Sequence, residues 1–515
     1  MKILAVNPAL RLGSETKYLP TGLAYILTYI EAGGYEFDLL DIDINDYDDQ
    51  FIEEYLQEHR YDIVLIGSIV THYAWVKWFV KNVKNKNPKT KIIVGNSVGG
   101  SIPETFLHKT SADVVVIGEG EVTCLEVLDA YQQGTSLNNV DGIAYVEDGS
   151  VVQTDRRKGL KKIDEFPIIN WDIFDVERYF SKSYAGAEGL VLSDGNTHPR
   201  VMPVVSARGC VFKCTFCHYV YWNDPYRYRT PENILIEIKR NIERYGANYI
   251  NFWDDLSFGS LKQVERLADA IIDSGLKFNW NAAVRVDLFG NPKYPLAERK
   301  IVAKKVRESG CLALGFSLES GDPGILDMME KKIEPQYFLD QVDILREAGI
   351  SSSTSVVFGY PLETKETIKS TFDMCFQARV YPSIGFLLPL PSTKMYQWAW
   401  DNGYITDEDK YLESITERQD ICLNMTDLPD AEVMGLISEG AEQLNRKLEL
   451  GLEDGSLIRT GGYRKHTKST ADDPKPLLDP EKIERHENDI SFNYSQALFE
   501  QKLGDQVAQE SEEVL

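Results

Sequence analysis

The residues of this 515-residue chain best suited to chemistry are three cysteines that stand close together. Cys210, Cys214 and Cys217 lie in the run SARGCVFKCTFCHY, with three residues between the first two and two between the last two. A structural zinc site or a fully ligated iron-sulfur cluster normally takes four protein ligands. Three neighbouring thiols with no fourth cysteine nearby therefore predict a metal centre with an open coordination position, where a small ligand can react.

The C-x3-C-x2-C spacing, with the aromatic Phe216 between the last two cysteines, resembles the signature of the radical SAM superfamily. The resemblance implies a [4Fe-4S] cluster held by Cys210, Cys214 and Cys217. Its fourth iron would bind the amino and carboxylate groups of S-adenosylmethionine (SAM), and reductive cleavage would give a 5'-deoxyadenosyl radical. Two other interpretations stay open, namely a zinc site that adds His218 to the three cysteines, and buried cysteines that only pack.

Composition excludes several classes of protein. The formal net charge of -25 argues against a nucleic-acid partner, because a phosphate backbone calls for patches of lysine and arginine. Seven cysteines with three clustered do not resemble a secreted disulfide framework. The opening run MKILAVNPAL predicts a first strand rather than a signal peptide, and no apolar run reaches the roughly 18 to 20 residues of a membrane span. We therefore expect a cytoplasmic protein without a transmembrane segment.

Residues 1 to about 135 alternate short β-branched runs with amphipathic stretches, which predicts a parallel, doubly wound α/β sheet. Ligands of such sheets bind beyond the carboxyl ends of the strands. The stretches PTGLAYILTYIEAGGYEFDLLDID, GNSVGGSIPE and VIGEGEVTCLEVL resemble the cobalamin-binding domain that precedes the radical core in one large radical SAM class. A Rossmann-like domain without a cofactor, whose glycines only make turns, is the alternative. The resemblance implies that these loops line cobalamin through Ser68, Gly99, Gly100, Gly118, Glu119, Gly120 and Glu121.

One departure from the cobalamin pattern concerns the cobalt ligand. Many such domains supply a histidine through D-x-H-x-x-G after the first strand, where this chain has NPALRLGS. The resemblance therefore implies a cobalamin whose lower face is not ligated by that motif. His72 follows the run DIVLIGS and is a second candidate for a cobalamin contact, although a bond to backbone or solvent is the simpler expectation.

From residue 201 six strand and helix units follow one another, with the strands VMPVVSA, YINFWDD, FNWNAAV, ALGFSLE, SSTSVVFG and YPSIGFLLPL. Pro231 at a first helical turn and Gly246, Gly275 and Gly349 at helix ends mark the boundaries. Six units are too few for a closed eight-stranded barrel. The pattern predicts a partial (βα)6 barrel, which is also the fold that the family resemblance implies.

The working residues of such a barrel lie at the carboxyl ends of its strands. Asp254 follows the second strand, Arg285 the third, Ser317 and Glu319 the fourth, and Gly359 the fifth. By resemblance, the run LESG is the ribose-contact strand and makes Glu319 the ribose ligand of SAM, while NFWDD approaches the SAM amino group. Arg285 is the candidate for the methionyl carboxylate, where a bidentate guanidinium fits. Each residue alone also suits an ordinary strand-end turn or a surface ion pair.

The remaining segments complete the domain plan. GIAYVEDGSVVQT predicts a β-hairpin with a D-G turn. Tyr219 and Tyr221, in the tyrosine-rich stretch after the cysteines, predict either a lid over SAM and substrate or ordinary packing. The plan comprises a cobalamin-binding Rossmann-like domain, a linker, the radical SAM partial barrel, a small helical C-terminal region that closes the barrel mouth, and an acidic polar tail, at residues 1–140, 141–200, 201–395, 396–465 and 466–515.

The two resemblances in this order imply a cobalamin-dependent radical SAM methyltransferase. One SAM gives the radical that removes hydrogen from an unactivated carbon, methylcobalamin delivers the methyl group, and a second SAM remethylates the cobalamin. The alternative keeps both cofactors in a cyclase, rearrangement or oxidative enzyme of the anaerobic porphyrin cyclase type. A methylthiotransferase is disfavoured by the cysteine-poor ends, and a non-catalytic cofactor-binding sensor by the complete SAM set.

Two partners follow from this function. The first is an external electron donor such as flavodoxin or ferredoxin. The second is a small-molecule or lipid-like substrate, and the aromatic content would suit an apolar one such as a lipid or a tetrapyrrole.

Overall fold

The computed structural model describes residues 1–183, 191–218, 224–416, 418, 421–452 and 457–458. The predicted lid residues Tyr219 and Tyr221 and the predicted acidic tail lie outside the described residues. The strands are β1 Ile3–Asn7, β2 Asp38–Asp41, β3 Ile63–Gly67, β4 Lys91–Gly95, β5 Val114–Val116, β6 Ile143–Glu147, β7 Ser150–Gln153, β8 Val201–Val204, β9 Ala207–Arg208, β10 Arg227–Tyr228, β11 Tyr249–Phe252, β12 Asn279–Ala283, β13 Cys311–Gly315, β14 Ser351–Phe358 and β15 Pro382–Phe386.

The α-helices separate these strands along the chain. They are α1 Thr21–Ala32, α2 Ile42–Asn45, α3 Asp49–Glu58, α4 Tyr73–Lys86, α5 Ser97–Gly100, α6 Pro103–Lys109, α7 Glu121–Gln133, α8 Val176–Lys182, α9 Pro231–Tyr245, α10 Leu261–Ser274, α11 Asp287–Gly290, α12 Leu296–Glu308, α13 Pro323–Met328, α14 Pro335–Glu347, α15 Lys365–Ala378, α16 Lys394–Asp401, α17 Glu408–Ser414 and α18 Asp430–Leu448. None of the described helices is both long and apolar enough to cross a membrane.

The N-terminal sheet has the strand order β2-β1-β3-β4-β5-β6-β7. Strands β1 to β5 are parallel, and the order 2-1-3-4-5 is a doubly wound arrangement. Strand β1 is buried along its whole length, as expected where helices cover both faces and the strands are continuous apolar runs. Helix α1 packs beside α7, and α3 packs beside α4. The predicted doubly wound sheet is confirmed.

The predicted hairpin forms between β6 and β7. Asp148 and Gly149 have φ values of 50° and 78°, and this pair of left-handed residues is what a two-residue turn between twisted strands requires. Strand β6 also pairs antiparallel with the three-residue strand β5. The hairpin therefore extends the first sheet beyond residue 140, where the sequence placed the start of the linker.

The second sheet has the order β15-β14-β13-β12-β11-β8, with neighbouring strands parallel and consecutive in the chain. Helix α9 begins at Pro231, where the Thr230 side chain accepts a hydrogen bond from the backbone of Asn233, and it ends at Gly246 with φ 66°. Helix α10 ends in the same way at Gly275, with φ 68°. Strands β8 and β15 are the two edges, so the predicted partial (βα)6 barrel is confirmed.

The C-terminal helices connect the barrel to the first domain. Helix α18 packs on α15, and α17 packs on α4. In the second contact Asp409 accepts hydrogen bonds from Lys77 Nζ at 2.8 Å and from the Tyr73 hydroxyl at 2.6 Å. The Tyr73 hydroxyl and Asp409 carboxylate are partly buried, so this contact fixes one side of the domain interface.

Candidate active site

The cysteines lie on the loop between β9 and β10, which pair antiparallel and close the loop at its base. Gly209 precedes the first cysteine with φ 78°, and a Cβ at this position would stand 2.9 Å from the Pro225 carbonyl oxygen. Only glycine fits where the two ends of the loop approach so closely. Further along, Thr215 binds the turn after α13, because its backbone N–H donates to the Met329 carbonyl at 2.9 Å. The loop is therefore held at its base and at its middle.

The three cysteines are free thiols, with Cys214 buried and Cys210 and Cys217 partly exposed. No group of three or more His, Cys, Asp and Glu side chains in the described ranges is arranged to hold a single metal ion. This geometry does not support the zinc alternative. A [4Fe-4S] cluster takes each thiolate on a different iron, so its ligands stand farther apart than around one ion.

Two cations lie beside the cysteine loop and suit it to a cluster of thiolates. Burial raises the pKa of Cys214, while the positive charges of Lys331 and Arg285 act in the opposite direction. The Lys331 ammonium is 5.9 Å from the centre of the Phe216 ring. Thiolates are the form that ligates iron, and neighbouring cations favour them. The donor set therefore fits the cluster that the sequence predicts.

Asp254 lies directly behind the strand that leads into this loop. Its carboxylate accepts hydrogen bonds from the Ser206 backbone N–H at 2.8 Å, the Ser206 hydroxyl at 2.6 Å and the Ala207 backbone N–H at 3.0 Å. Burial raises the pKa of Asp254, and these hydrogen bonds oppose the rise. The carboxylate therefore fixes the end of β8. The contact of the NFWDD segment with the SAM amino group stays a prediction.

Arg285 stacks on the cysteine loop. Its guanidinium carbon is 3.4 Å from the centre of the Phe212 ring, its Nη2 donates to the Lys331 carbonyl at 2.7 Å, and its Nε donates to Asp287 at 3.1 Å. Its Nη1 makes no hydrogen bond to the described residues. Arg285 therefore uses Nε and Nη2 to support the loop, and Nη1 is available for the predicted bond to the SAM carboxylate.

Glu319 has an unusual backbone conformation, with φ 64° although it is not glycine. Such a residue costs about 1–3 kcal/mol and persists where the surroundings fix it. Here Glu319 N–H donates to the Ser355 carbonyl at 3.1 Å, and Val357 N–H donates to the Glu319 carbonyl at 2.8 Å. The side chain is buried and accepts a hydrogen bond from Lys331 Nζ at 2.7 Å. The structure thus pairs the predicted ribose ligand with a buried lysine.

Sequence reasoning missed Lys331. It lies in the turn after α13, in the run MMEKKIEP, where two adjacent lysines look like ordinary solvent-exposed residues. No motif or periodicity distinguishes Lys331 from Lys332. Only the fold brings Lys331 against Glu319 and Phe216.

Ser317 and Gly359 lie where the sequence placed them, at the ends of β13 and β14. The Ser317 hydroxyl is 2.7 Å from the Ser355 hydroxyl. Gly359 has φ 95°, and its N–H donates to the carboxylate of Glu363 at 3.2 Å. Burial raises the pKa of Glu363 to about 7. The next residue, Tyr360, is fully buried and meets the Phe216 ring edge to face at 6.3 Å, so these strand ends and the cysteine loop form one site.

The predicted cobalamin residues of the β3 and β4 loops are buried inside the first domain. The Ser68 hydroxyl is 2.9 Å from His72 Nδ1, and the His72 ring stacks on Trp75 at 4.8 Å. Gly99 and Gly100 belong to α5, and a Cβ at Gly99 would stand 3.0 Å from a Val115 methyl group. The missing side chain of Gly99 is explained by this packing. Their contacts with cobalamin stay predictions.

The loop after β5 faces the barrel domain instead. Glu121 accepts a hydrogen bond from Arg208 Nη2 at 2.6 Å, and Glu119 accepts one from Arg227 Nη2 at 2.5 Å. Arg208 Nη1 is also 3.4 Å from Glu119, and its guanidinium lies over the Tyr25 and Phe166 rings at 4.8 and 4.1 Å. These carboxylates join the two domains, so only the backbone of this loop is free for the predicted cobalamin contact.

Within that loop the two glycines differ. Gly118 has φ 94°, and open space surrounds the position of a Cβ. Gly120 precedes α7, and a Cβ there would stand 3.1 Å from the end of the Ile26 side chain. Gly118 is thus favoured by its backbone conformation and leaves room for a ligand, whereas a side chain at Gly120 would press on Ile26.

The carboxyl ends of the two sheets face each other. Tyr18, in the loop after β1, and Trp253, directly after β11, have ring centres 5.3 Å apart. Ligands of doubly wound sheets and of barrels both bind at these edges. A small cleft opens there, lined by Tyr18, Leu19, Tyr179, Ser183, Val201, Pro203, Asn251 and Trp253.

Comparison with known families agrees with this architecture. Residues 9–128 match the B12 binding domain, and residues 204–375 match the radical SAM superfamily. The chain is 28% identical to an uncharacterized methyltransferase of Pyrococcus horikoshii, over 79% of this chain and 84% of the relative. It is 26% identical to the anaerobic magnesium-protoporphyrin IX monomethyl ester cyclase of Rubrivivax gelatinosus, over 80% and 72%. It is 24% identical to the cytidylyl-2-hydroxyethylphosphonate methyltransferase of Streptomyces wedmorensis, over 86% and 89%.

Solved structures show the same fold. The cobalamin-dependent SAM radical enzyme OxsB, solved with aqua-cobalamin and SAM, gives a TM-score of 0.62 at 17% identity over 87% of this chain and 61% of OxsB. The radical SAM methyltransferase TsrM from Kitasatospora setae, solved with tryptophan and a SAM analogue, gives 0.58 at 17% identity over 77% and 76%. The chain therefore carries a B12-binding domain followed by a domain of the radical SAM superfamily, and it is an enzyme that uses a [4Fe-4S] cluster, SAM and cobalamin.

Proposed function

We propose that this enzyme methylates an unactivated carbon of a small-molecule substrate. The observation that carries the proposal is the contact between Tyr18 and Trp253, which brings the strand ends of the B12-binding domain against those of the radical SAM barrel. A methyl carrier bound at one edge and a radical source bound at the other would both face the space between the two domains. The similarity to two methyltransferases supports methyl transfer, and the similarity to the porphyrin ester cyclase keeps the cyclase alternative in view.

When bound, the cluster with SAM supplies the 5'-deoxyadenosyl radical, and cobalamin carries the methyl group. Cys210, Cys214 and Cys217 would ligate the cluster on a loop fixed by Thr215. The buried side chains around that loop exclude water, which protects a radical from quenching. Electrons would come from a donor such as flavodoxin or ferredoxin. All seven cysteines are free, which suits a reducing compartment such as the cytoplasm.

The proposed SAM residues divide into ligands and supports. Glu319 would bind the ribose hydroxyls, with its carboxylate held in place by the hydrogen bond from Lys331 Nζ at 2.7 Å. Arg285 would bind the methionyl carboxylate through Nη1. Asp254 holds the strand end behind the cysteine loop, and the NFWDD segment to which it belongs would approach the SAM amino group.

The proposed domain boundaries follow the observed sheets. The cobalamin-binding domain would end after β7 near residue 153, and the radical SAM barrel would run from β8 to β15. The linker between them contributes Tyr179, whose hydroxyl donates to Asp41 at 3.0 Å. The linker is therefore packed against the first domain.

The test uses anaerobically reconstituted enzyme with cobalamin, a chemical reductant, SAM labelled in its methyl group and a small-molecule extract. We expect S-adenosylhomocysteine, 5'-deoxyadenosine and a labelled product, none of which should form with Cys214→Ala. Cys422→Ala is the matched control, because Cys422 is a partly exposed free thiol outside the motif and its loss should leave cluster content unchanged. 5'-Deoxyadenosine without S-adenosylhomocysteine would favour the cyclase alternative, and the absence of both would contradict the proposal.

A further inference from the structure

The inner face of the barrel is identified by strand alternation. Successive side chains of a strand point to opposite faces. Val356 and Phe358 belong to the core, and Phe358 stacks on Phe372 of α15, so these positions of β14 face the helices. Ser353 and Ser355 therefore face the barrel interior. Their registers place Gly315 and Ser383 beside them on the same face.

Polar side chains lie on this face in several strands. Ser383 of β15 pairs in register with Ser355, whose hydroxyl is 2.7 Å from that of Ser317. The three hydroxyls thus form a row across β15, β14 and the end of β13. On β12, Asn281 lies in register with Asn251, which lines the cleft between the domains. An apolar substrate would offer these side chains no further hydrogen bonds.

Two polar atoms of this interior are buried without a partner. Asn281 Oδ1 and Ser353 Oγ are shielded from solvent and make no hydrogen bond to any described residue. Buried polar atoms are nearly always satisfied, and an exception calls for an explanation such as a missing ligand. Both atoms belong to the inner face, so a polar ligand in the barrel would satisfy them.

An arginine lies on the same face. Arg418 Nη2 donates to the Ser383 hydroxyl at 3.3 Å, and the Arg418 carbonyl accepts from Phe386 N–H at 2.5 Å. A Cβ at Gly385 would stand 3.4 Å from Arg418 Cδ, so glycine makes room for this side chain. Within the described part of the chain, Arg418 forms no ion pair with a carboxylate. A partly buried guanidinium without an anion fits a site that receives one.

We propose that the barrel interior binds an anionic group of the substrate, a carboxylate or a phosphoryl group, through Arg418, Ser383 and Ser355. A guanidinium and neighbouring hydroxyls donate several hydrogen bonds to such an oxyanion. The substrate is then a molecule that carries a carboxylate or a phosphoryl group, whatever the polarity of its other parts. This inference rests on the proposed function for its substrate role, but the anion site itself can be tested alone.

The test titrates inorganic phosphate and malonate into SAM-bound, reconstituted holoenzyme by calorimetry. We expect binding of at least one anion, weakened about tenfold to hundredfold in Arg418→Gln and partly restored in Arg418→Lys. Arg266→Gln is the matched control, because Arg266 is an exposed arginine on the outer helix α10. Far-UV circular dichroism and iron content confirm that each variant is folded and loaded.

The occupant is distinguished by measuring SAM affinity in the same variants. If Arg418→Gln weakens SAM binding and leaves phosphate and malonate unchanged, the arginine serves the SAM carboxylate and the proposal is overturned. Equal loss in Arg266→Gln, or no anion binding by the parent enzyme, also overturns it. Tighter binding of phosphate than of malonate would indicate a phosphoryl group on the substrate, and tighter binding of malonate would indicate a carboxylate. Failure of methyl transfer with retained, Arg418-dependent anion binding would overturn the proposed function and leave the anion site standing.

Discussion

The ion pair between Arg208 and Glu121 is expected to govern how the two domains work together. Arg208 stands two residues before Cys210, while Glu121 opens α7 of the B12-binding domain. The perturbation is Glu121→Gln, which keeps the size and one oxygen of the side chain and removes its charge. We expect a less stable domain interface and poorer transfer of methyl groups between the domains.

The magnitude follows from the burial of the pair and from a second carboxylate. The Arg208 side chain is 16% exposed and that of Glu121 is 7% exposed. Glu119 remains 3.4 Å from Arg208, so the guanidinium keeps a partner after the change. The loss should therefore be that of a charged hydrogen bond, about 1.5–3 kcal/mol. Changing Glu119 to Gln as well would remove the carboxylate partners of both Arg208 and Arg227 and should cost about 3–5 kcal/mol of unfolding free energy.

The assay combines stability with product ratios. Urea denaturation followed by tryptophan fluorescence measures the change in unfolding free energy, and reconstituted enzyme gives the ratio of S-adenosylhomocysteine to 5'-deoxyadenosine. We expect this ratio to fall in Glu121→Gln. A looser interface leaves radical formation on the radical SAM domain intact, but it misplaces the B12-binding domain that would carry the methyl group. A merely local packing defect would not change the ratio.

The matched control is Glu177→Gln, which alters a bidentate ion pair with Arg200 at 2.6 and 3.0 Å. Glu177 is 73% exposed, so this change should cost at most about 1 kcal/mol. The reasoning would be refuted if Glu121→Gln destabilised the protein no more than Glu177→Gln and left the product ratio unchanged.

Three further predictions concern the barrel domain. Asp254→Ala removes the acceptor of three hydrogen bonds at the base of the cysteine loop, so iron and sulfide content should fall although all three cysteines remain; unchanged iron would contradict this role. Lys331→Met leaves the Glu319 carboxylate buried without its cation and should cost about 3–5 kcal/mol in urea denaturation, whereas Lys331→Met with Glu319→Leu should recover most of that loss. Glu363 has its pKa raised by burial from 4.5 to about 7, so the folded state holds this proton more tightly than the unfolded state and stability falls as pH rises from 4.5 through about 7. Glu363→Gln should flatten this part of the curve of melting temperature against pH, and an unchanged slope would contradict the assignment.

The sequence predicted the fold from patterns that are local to the chain. The alternation of β-branched runs and amphipathic stretches gave both sheets, because each strand and helix is decided by neighbours within about a dozen residues. Turn chemistry gave the hairpin at Asp148 and Gly149 as well. The sequence did not indicate that the hairpin joins the first sheet, because pairing of β6 with β5 depends on a neighbour that local patterns do not reveal.

The candidate site was predicted less completely, since side-chain partners depend on tertiary contacts. The sequence indicated Glu319, Arg285 and Asp254 by their places at strand ends, and the structure gathers all three around the cysteine loop. It did not indicate that Glu119 and Glu121 pair with arginines, because ionic residues in a glycine-rich loop also fit a cofactor contact.

The sequence by itself determined that this protein has an open cysteine motif and a partial barrel, and it indicated both cofactor domains through motifs whose spacing is fixed along the chain. Only the tertiary structure decided which charges meet. Arg208 and Glu121 are 87 residues apart, Arg418 and Ser383 are 35 apart, and Lys331 and Glu319 are 12 apart with α13 between them. Hydrogen bonds and ion pairs act over a few ångströms in space, so neither composition nor periodicity specifies them until the strands and loops are packed.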